Sequence, residues 1–343
     1  MPLRIIQVGV GGWGHSWTKL VLNNDLDVEL VACVDMSEKA LQRVQEDYTL
    51  PAQACFTDLK EALKGVDCDA VLVTAGLNAH VPLARIALEH NKHVLVEKPF
   101  APTLEEADSL VKLARERGVH LMVSQNYRFQ PTVAAVDALL QEGALGEIST
   151  INIDFRRYVN VPRDAYIYYR AWQPLLVDMA VHHFDLMRKL LKQKPQRITC
   201  HAWNTSWDQF DDPSSATATI EFSGGAVVNY RGSWASTSPQ TPWNGEWRIE
   251  CHNGSIEWTG RGDKPADDRA TVYTIGEEGA SLALPEVPYL DRLGSLATFI
   301  QSIESDTEAE CSGRDNLGTL ALMFAAVKAA QTGTPQSILL PQE

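Results

Sequence analysis

Short apolar runs alternate with longer amphipathic stretches through the first third of the chain. Residues 3–8, 28–34, 70–74, 94–96 and 121–124 are rich in Val, Ile and Leu and too short for helices, as buried strands are. Between them, residues 15–23, 37–47, 58–64, 81–90 and 104–117 read as helices. Ser37 and Thr103 suit N-caps, Glu106 completes a capping box with Thr103, and Gly118 ends the last of these helices. This alternation predicts a doubly wound parallel sheet. After a loop at 125–129 and a helix from Pro131, the period changes to two: Ile151, Ile153 and Phe155 share one face, Asn152 and Asp154 the other. Similar runs follow at 197–203, 216–222, 226–233, 247–251, 255–258 and 270–275, with Gly224-Gly225 as a hairpin turn. Few helices separate them, so a large, mostly antiparallel sheet is expected. Residues 293–304 and 317–331 read as helices, the second apolar enough (Leu320, Leu322, Met323, Phe324, Val327) to be deeply packed. The expected organisation is an α/β domain over residues 1–124 and an α+β domain over 125–343.

The first strand runs straight into Gly9-Val10-Gly11-Gly12-Trp13-Gly14, a G-x-G-x-x-G turn opening a helix. Gly9 serves a tight turn, Gly11 lets the backbone approach a pyrophosphate, and Gly14 lets helix and strand pack closely. Gly12 and Trp13 complete the loop. The helix N-terminus adds N–H groups and a positive dipole end for phosphates. The second strand ends at Asp35, roughly 20 residues beyond Gly14, the expected place for an acid that accepts from the adenine ribose hydroxyls. The first domain is thus read as a Rossmann dinucleotide-binding domain. Asp35 would repel a 2′-phosphate, which favours NAD; Lys39 and Arg43 leave NADP open.

Composition narrows the partners. A net charge of −14, from 30 basic and 44 acidic residues, argues against binding a nucleic-acid backbone. The six cysteines are scattered without a Cys-x-x-Cys pair, so no zinc or redox motif is indicated, and free thiols in a reducing cytoplasm are the simplest reading. No signal peptide is expected, no metal site is predicted, and no apolar run approaches the roughly 20 residues of a membrane span.

The stretch His93-Val-Leu-Val-Glu-Lys-Pro-Phe100 closes a buried strand with Glu97, Lys98 and Pro99. Pro99 cannot continue a ladder, so Lys98 is expected at the carboxyl end of the strand, where open α/β sheets bind their ligands. Gly9-x-Gly11-x-x-Gly14, Thr74 with His80, and Glu97-Lys98-Pro99 together resemble the Gfo/Idh/MocA family, the relatives of glucose–fructose oxidoreductase and inositol dehydrogenase. The resemblance covers nearly the whole chain, and Glu-Lys-Pro is its most specific motif. It implies an NAD(P)-dependent oxidoreductase acting on CH–OH groups, with Thr74, His80 and Glu97 beside the cofactor and Lys98 in catalysis. It also implies a C-terminal sheet that often forms an oligomer interface, hence a homodimer or homotetramer.

Residues 175–191 are expected to form one helix. At about 100° per residue, Leu176, Met179, Ala180, Phe184, Met187 and Leu191 make an apolar face that includes His183. Asp178, His182 and Asp185 share another face, and Asp178 and His182 are neighbours at i, i+4. His182 is therefore expected to face a cleft and His183 to pack. The family pattern has an Asp and a His four apart on this helix, and Asp178 and His182 match it. The family usually has glycines just before the helix; Trp172, Gln173 and Pro174 stand there instead and are expected to narrow the pocket. The preceding stretch, with Arg156, Arg157, Tyr158, Tyr166 and Trp172, offers rings for a sugar or cyclitol and guanidiniums for a carboxylate or phosphate. Arg128, Tyr158 and Trp172 are the candidate substrate-binding residues.

The expected chemistry is hydride exchange between NAD(P) and a secondary alcohol or ketone of a sugar, cyclitol or derivative. His182 can take the hydroxyl proton, Asp178 can orient it or bind a neighbouring hydroxyl, and Lys98 can stabilise alkoxide character. Whether Lys98 or His182 is the main base stays open. Two alternatives share the motifs: an NAD-dependent glycoside hydrolase, which would release free sugar without net NADH, and a non-catalytic NAD-binding sensor.

Overall fold

The structure is a computed structural model and describes residues 1–341. The chain divides into two units. The first comprises Met1–Gln125 together with Arg292–Leu317; the second comprises Asn126–Asp291 and the residues from Gly318 on.

The first unit follows the apolar runs closely. Its elements are β1 (Leu3–Val8), α1 (Gly12–Leu22), β2 (Val28–Val34), α2 (Glu38–Tyr48), β3 (Cys55–Phe56), α3 (Leu59–Gly65), β4 (Ala70–Val73), α4 (Leu77–Glu89), β5 (His93–Glu97), α5 (Leu104–Arg117) and β6 (Leu121–Ser124). The sheet order is β3-β2-β1-β4-β5-β6, every pair parallel. This is the strand order of dinucleotide-binding folds, which reverses between β1 and β4 and opens a crevice beyond their carboxyl ends. Ile5, Ile6, Leu72 and Leu95 are wholly buried. They belong to central strands covered on both faces, which is why these runs are continuously apolar. Ser37 Oγ accepts from the Ala40 amide and Thr103 Oγ1 from that of Glu106, as the capping pattern predicts.

The continuous division at residue 125 does not describe the whole chain. Residues 292–317 return to the first unit. There, Val123 N–H donates to the Cys311 carbonyl, and Met122 bridges to Ser312 in antiparallel fashion. The segment thus covers β6, whose open edge would otherwise present unpaired backbone groups. Such pairing is non-local and leaves no trace in periodicity.

The second unit contains α6 (Pro131–Glu142), β7 (Ile148–Arg156), α7 (Ala180–Leu191), β8 (Pro195–Trp203), β9 (Ser215–Phe222), β10 (Val227–Ser233), β11 (Glu246–Cys251), β12 (Gly254–Thr259), β13 (Arg269–Thr274) and β14 (Ala280–Ser281). After α8 (Asp291–Glu304) come α9 (Gly313–Thr332) and β15 (Gln336–Ser337). The nine strands run β14-β13-β12-β11-β7-β10-β9-β8-β15, antiparallel except for the central β7–β10 pair. Period-2 alternation buries Ile151, Ile153, Phe155, Ile220, Val228 and Ile249 on one face. The opposite face carries ion pairs: Arg231 Nε with Asp154 at 2.8 Å, and Arg248 Nε with Glu257 at 3.0 Å.

The stretch read as one helix over 175–191 departs from that reading. Pro174–Met179 form a wider π turn, in which the Ala180 amide donates to the Leu175 carbonyl five residues back, and the α-helix begins at Ala180. The helical-wheel relation between Asp178 and His182 therefore spans a break. Gln173, just ahead of it, adopts φ +48, in the left-handed region that favours glycine. Its backbone amide donates to Asp212 Oδ2 at 2.9 Å.

Candidate active site

The glycine turn is set by backbone sterics. Gly9 has φ +88, and a Cβ there would lie 2.5 Å from the Ala75 backbone. A Cβ on Gly14 would lie 1.8 Å from the Gly9 carbonyl oxygen, so α1 could not approach β1 as it does. At Gly11 and Gly12, by contrast, a Cβ would meet nothing within 4 Å. That open space lies at the start of α1, whose first amides have no partner within the helix. A dinucleotide pyrophosphate fits this cradle.

Beneath the turn lies a buried polar cluster. Thr74 Oγ1 donates to the Gly9 carbonyl at 2.6 Å and accepts from Gln7 Nε2 at 3.0 Å. Gln7 also donates to the Gly14 carbonyl at 2.8 Å, and Thr18 Oγ1 donates to Gln7 Oε1 at 2.9 Å. Thr74 thus braces the loop from below. Asp35 braces it from the side: Oδ2 accepts from Val10 N at 2.8 Å and Oδ1 from Ser37 N at 2.9 Å. His80 is buried, with Nδ1 2.8 Å from the Pro99 carbonyl and Nε2 2.9 Å from that of Ala75. Burial pushes its pKa below the ordinary value, against the two carbonyls, which favour the doubly protonated ring.

Lys98 stands half-buried immediately after β5. Glu97 before it is buried and doubly held, its Oε1 accepting from Trp17 Nε1 at 2.7 Å and its Oε2 from Lys98 N at 3.0 Å. Glu97 therefore ties the Lys98 backbone to α1. Trp17 is a link that the sequence reading missed, because it lies 80 residues away from Glu97.

In the second unit, Asp178 is the one half-buried residue of an otherwise buried run from Gln173 to Met179. Burial, and after it the charges of Asp178 and neighbouring tyrosines, push the Tyr166 phenol pKa up, which places Tyr166 in the electrostatic neighbourhood of Asp178. His182, read from the wheel as facing a cleft, is only 4% exposed. The wheel counts only the helix, whereas the cover comes from the 126–128 turn: the Tyr127 ring stacks on His182 with centroids 3.8 Å apart and planes 7° apart. Arg261 lies over the same tyrosine, its guanidinium carbon 4.4 Å from the centroid, and donates from Nη1 to Tyr127 Oη at 3.2 Å. Tyr127 and Arg261 are further contributors the sequence reading did not single out.

The other named residues separate clearly. Arg128 is buried and grips Asp185 with Nε at 2.6 Å and Nη2 at 2.7 Å, a packed ion pair. Asp185 is accordingly buried and not on an open face with Asp178. Tyr158 and Trp172 are 40% and 47% exposed. His183 is fully buried, its Nδ1 3.2 Å from Tyr230 Oη and its Nε2 3.1 Å from the Trp243 carbonyl.

His183→Ala is expected to reduce unfolding free energy by about 2–4 kcal/mol, from the lost ring packing and two orphaned polar groups. Burial holds the His183 pKa down at about 4, against an ordinary value of 6.5. Between these values the unfolded chain binds a proton that the native chain does not. This contribution to stability is therefore complete above about pH 6.5 and is lost as pH falls toward 4. Denaturant titrations should show that pH slope weakened in the variant; an unchanged slope would remove His183 as its source.

A glycine turn at the reversal of a doubly wound sheet, with an acid closing β2, defines a dinucleotide-binding dehydrogenase architecture. Residues 3–125 match the model of the oxidoreductase family with an NAD-binding Rossmann fold, and residues 133–257 match the GFO/IDH/MocA C-terminal domain. The chain belongs to the Gfo/Idh/MocA family and is an NAD(P)-dependent oxidoreductase. It is similar to inositol 2-dehydrogenase of Rhizobium meliloti, 26% identical with 96% of this chain and 97% of that one covered. It is also 26% identical to 1,5-anhydro-D-fructose reductase of Ensifer adhaerens, over 82% of this chain and 83% of that one. In fold it matches the crystal structure of an Agrobacterium radiobacter oxidoreductase in complex with NAD+, L-tartaric acid and magnesium, at TM-score 0.87 and 21% identity over 98% of this chain and 99% of that one. Among the described residues no cluster of three or more His, Cys, Asp or Glu could hold a metal ion, and no helix is long and apolar enough to cross a membrane.

Proposed function

We propose that the protein exchanges a hydride between NAD and a secondary alcohol or ketone of a sugar, a cyclitol or a derivative of one. The observation that carries this reading is the anchoring of Lys98. A buried carboxylate fixes its backbone amide at the carboxyl end of a central strand of the NAD-binding unit. Relatives named for inositol and anhydrofructose support the substrate class.

When bound, the nicotinamide supplies the hydride acceptor or donor. The glycine turn would hold its pyrophosphate and Asp35 its adenine ribose. His182 accepts the hydroxyl proton, work for which an imidazole is suited near neutral pH. Asp178 binds a neighbouring hydroxyl or orients His182. The Lys98 ammonium hydrogen-bonds the reacting oxygen and favours its alkoxide character. The polar face of the nine-stranded sheet, with charges of both signs, is proposed as the surface on which copies pair into a dimer or tetramer.

The test is an absorbance screen for NADH formation over sugars, cyclitols, sugar acids and their phosphates. Oxidation of at least one supports the reading. Free sugar released without net NADH would indicate the hydrolase, and NAD binding without any turnover would indicate the sensor.

Cofactor choice follows from Asp35. Its carboxylate is fixed by two amides at the end of β2, and Arg43 Nε lies 3.4 Å from Asp47 Oδ2. NAD is expected to bind at least about tenfold more tightly than NADP, the scale of one unfavourable charge contact. Asp35→Ser should narrow that ratio. Titration of both cofactors decides it; tighter NADP binding by the wild-type protein would overturn the role given to Asp35.

A further inference from the structure

The inward face of β7, with Ile151, Ile153 and Phe155, continues one step further to Arg157, whose amide still donates to the Ser233 carbonyl at 2.9 Å. The period places its guanidinium on the side of the sheet where Phe155 meets His183. The guanidinium carbon lies 4.0 Å from the Trp243 ring centroid, and Nη1 donates to Gln240 Oε1 at 3.1 Å. The side chain is nine-tenths buried, yet among the described residues no carboxylate bonds to it: Asp263, 3.9 Å from Nη1, is largely exposed. The other edge, Nε with Nη2, has no partner among the described residues; Nε is buried and Nη2 is not. We propose that this edge binds a carboxylate of the substrate, which makes the substrate a polyhydroxy acid, such as a uronate or aldonate, and not a neutral sugar. The assignment rests on the oxidoreductase reading given above and narrows its substrate class.

Three observations support the assignment. The first is that the same edge grips a carboxylate elsewhere in the second unit. Arg128 holds Asp185 through Nε and Nη2, and Arg231 holds Asp154 through the same two nitrogens. Two parallel N–H groups of this kind match the two oxygens of a carboxylate. The second is charge. Burial lowers the Arg157 pKa, Asp263 and Tyr127 oppose this, and Arg261 adds to it. A buried cation without a bonded counter-ion is costly, and a bound carboxylate supplies one. Arg261 does not compete for that role, since its Nε is bonded to Asp291 at 2.6 Å. The third is place. Arg157 lies in the electrostatic neighbourhood of Tyr127, whose ring stacks on His182, the proposed base. The rival role is structural: Arg157 would merely prop the turn that carries Gln240 and Trp243.

The two roles differ in selectivity between an acid and its neutral counterpart. Steady-state kinetics with NAD would compare hexuronates with hexoses and aldonates with alditols, with sugar phosphates alongside. Calorimetry on the NAD-loaded protein would measure binding of the same compounds independently of turnover. The wild type is expected to favour the acid of at least one pair by about tenfold or more in kcat/KM and in affinity. In Arg157→Gln that preference should fall by roughly tenfold to a hundredfold, as loss of a charged hydrogen bond does, with the change in KM and not in kcat. Absence of an acid preference in every pair overturns the proposal, as does a preference for phosphates over acids. So does an equal loss for acid and neutral partner in Arg157→Gln together with a lower melting temperature. If Arg157→Gln does not fold, Arg157→Lys decides. It keeps the charge without the planar fork, and a several-fold smaller acid preference is expected; an unchanged preference in it overturns the proposal. Acids that bind preferentially without being oxidised would sink the oxidoreductase reading and leave the carboxylate site standing. Oxidation that favours neutral sugars would do the reverse.

Discussion

Lys98→Met is expected to fold, to bind NAD with wild-type affinity and to lose turnover by roughly a hundredfold or more, the scale of removing one preorganised donor. Folding should survive because methionine keeps the Lys98 amide bonded to Glu97, with Glu97 bonded in turn to Trp17. NAD affinity should survive because the turn from Gly9 to Gly14 and the Asp35 carboxylate are untouched. What is removed is an ammonium whose bond to the reacting oxygen strengthens as negative charge develops, and such a bond acts on the transition state more than on the ground state. The competing role, an ion-pair partner for an acid, predicts the reverse: a loss of stability from an uncompensated carboxylate, with the rate kept. Steady-state kinetics and thermal melting of one preparation separate the two. A folded variant with near-wild-type turnover refutes the catalytic role.

His182→Ala should lower turnover by about a hundredfold to ten-thousandfold, the range for losing a general base. The structure adds a consequence for stability. The ring is buried and stacked on Tyr127, and aromatic pairs of this kind contribute about 0.5–1.5 kcal/mol beyond the area they bury. A modest fall in melting temperature is therefore expected along with the kinetic defect. The decisive readout is rescue: added imidazole should restore part of the rate, because it supplies the missing base. Its failure to do so would assign His182 to packing alongside His183.

The fold class was legible in the sequence because its signals are local. Period-2 alternation at Ile151, Ile153 and Phe155 reports a half-buried strand. The Gly9–Gly14 spacing reports a turn that only glycines can make where Ala75 and α1 close in. Pro99 reports the end of β5. The separation of His183 from His182 was also legible in part: His183 is the residue with both nitrogens engaged in the core. The wheel could not show that His182 is covered as well, since its cover comes from another element.

By itself, then, the sequence determined the order and kind of most elements, the glycine turn, the acid at the end of β2 and the position of Lys98 after a buried strand. Each follows from side-chain periodicity or backbone sterics within a few residues. Only the tertiary structure decided which polar groups already have partners. It pairs Glu97 with Trp17 and Arg128 with Asp185, stacks Tyr127 on His182, and brings Arg292 to the glycine turn. It also opens the π turn ahead of α7 and returns residues 292–317 to the first unit. These features depend on contacts between residues far apart in the chain, for which local periodicity carries no signal.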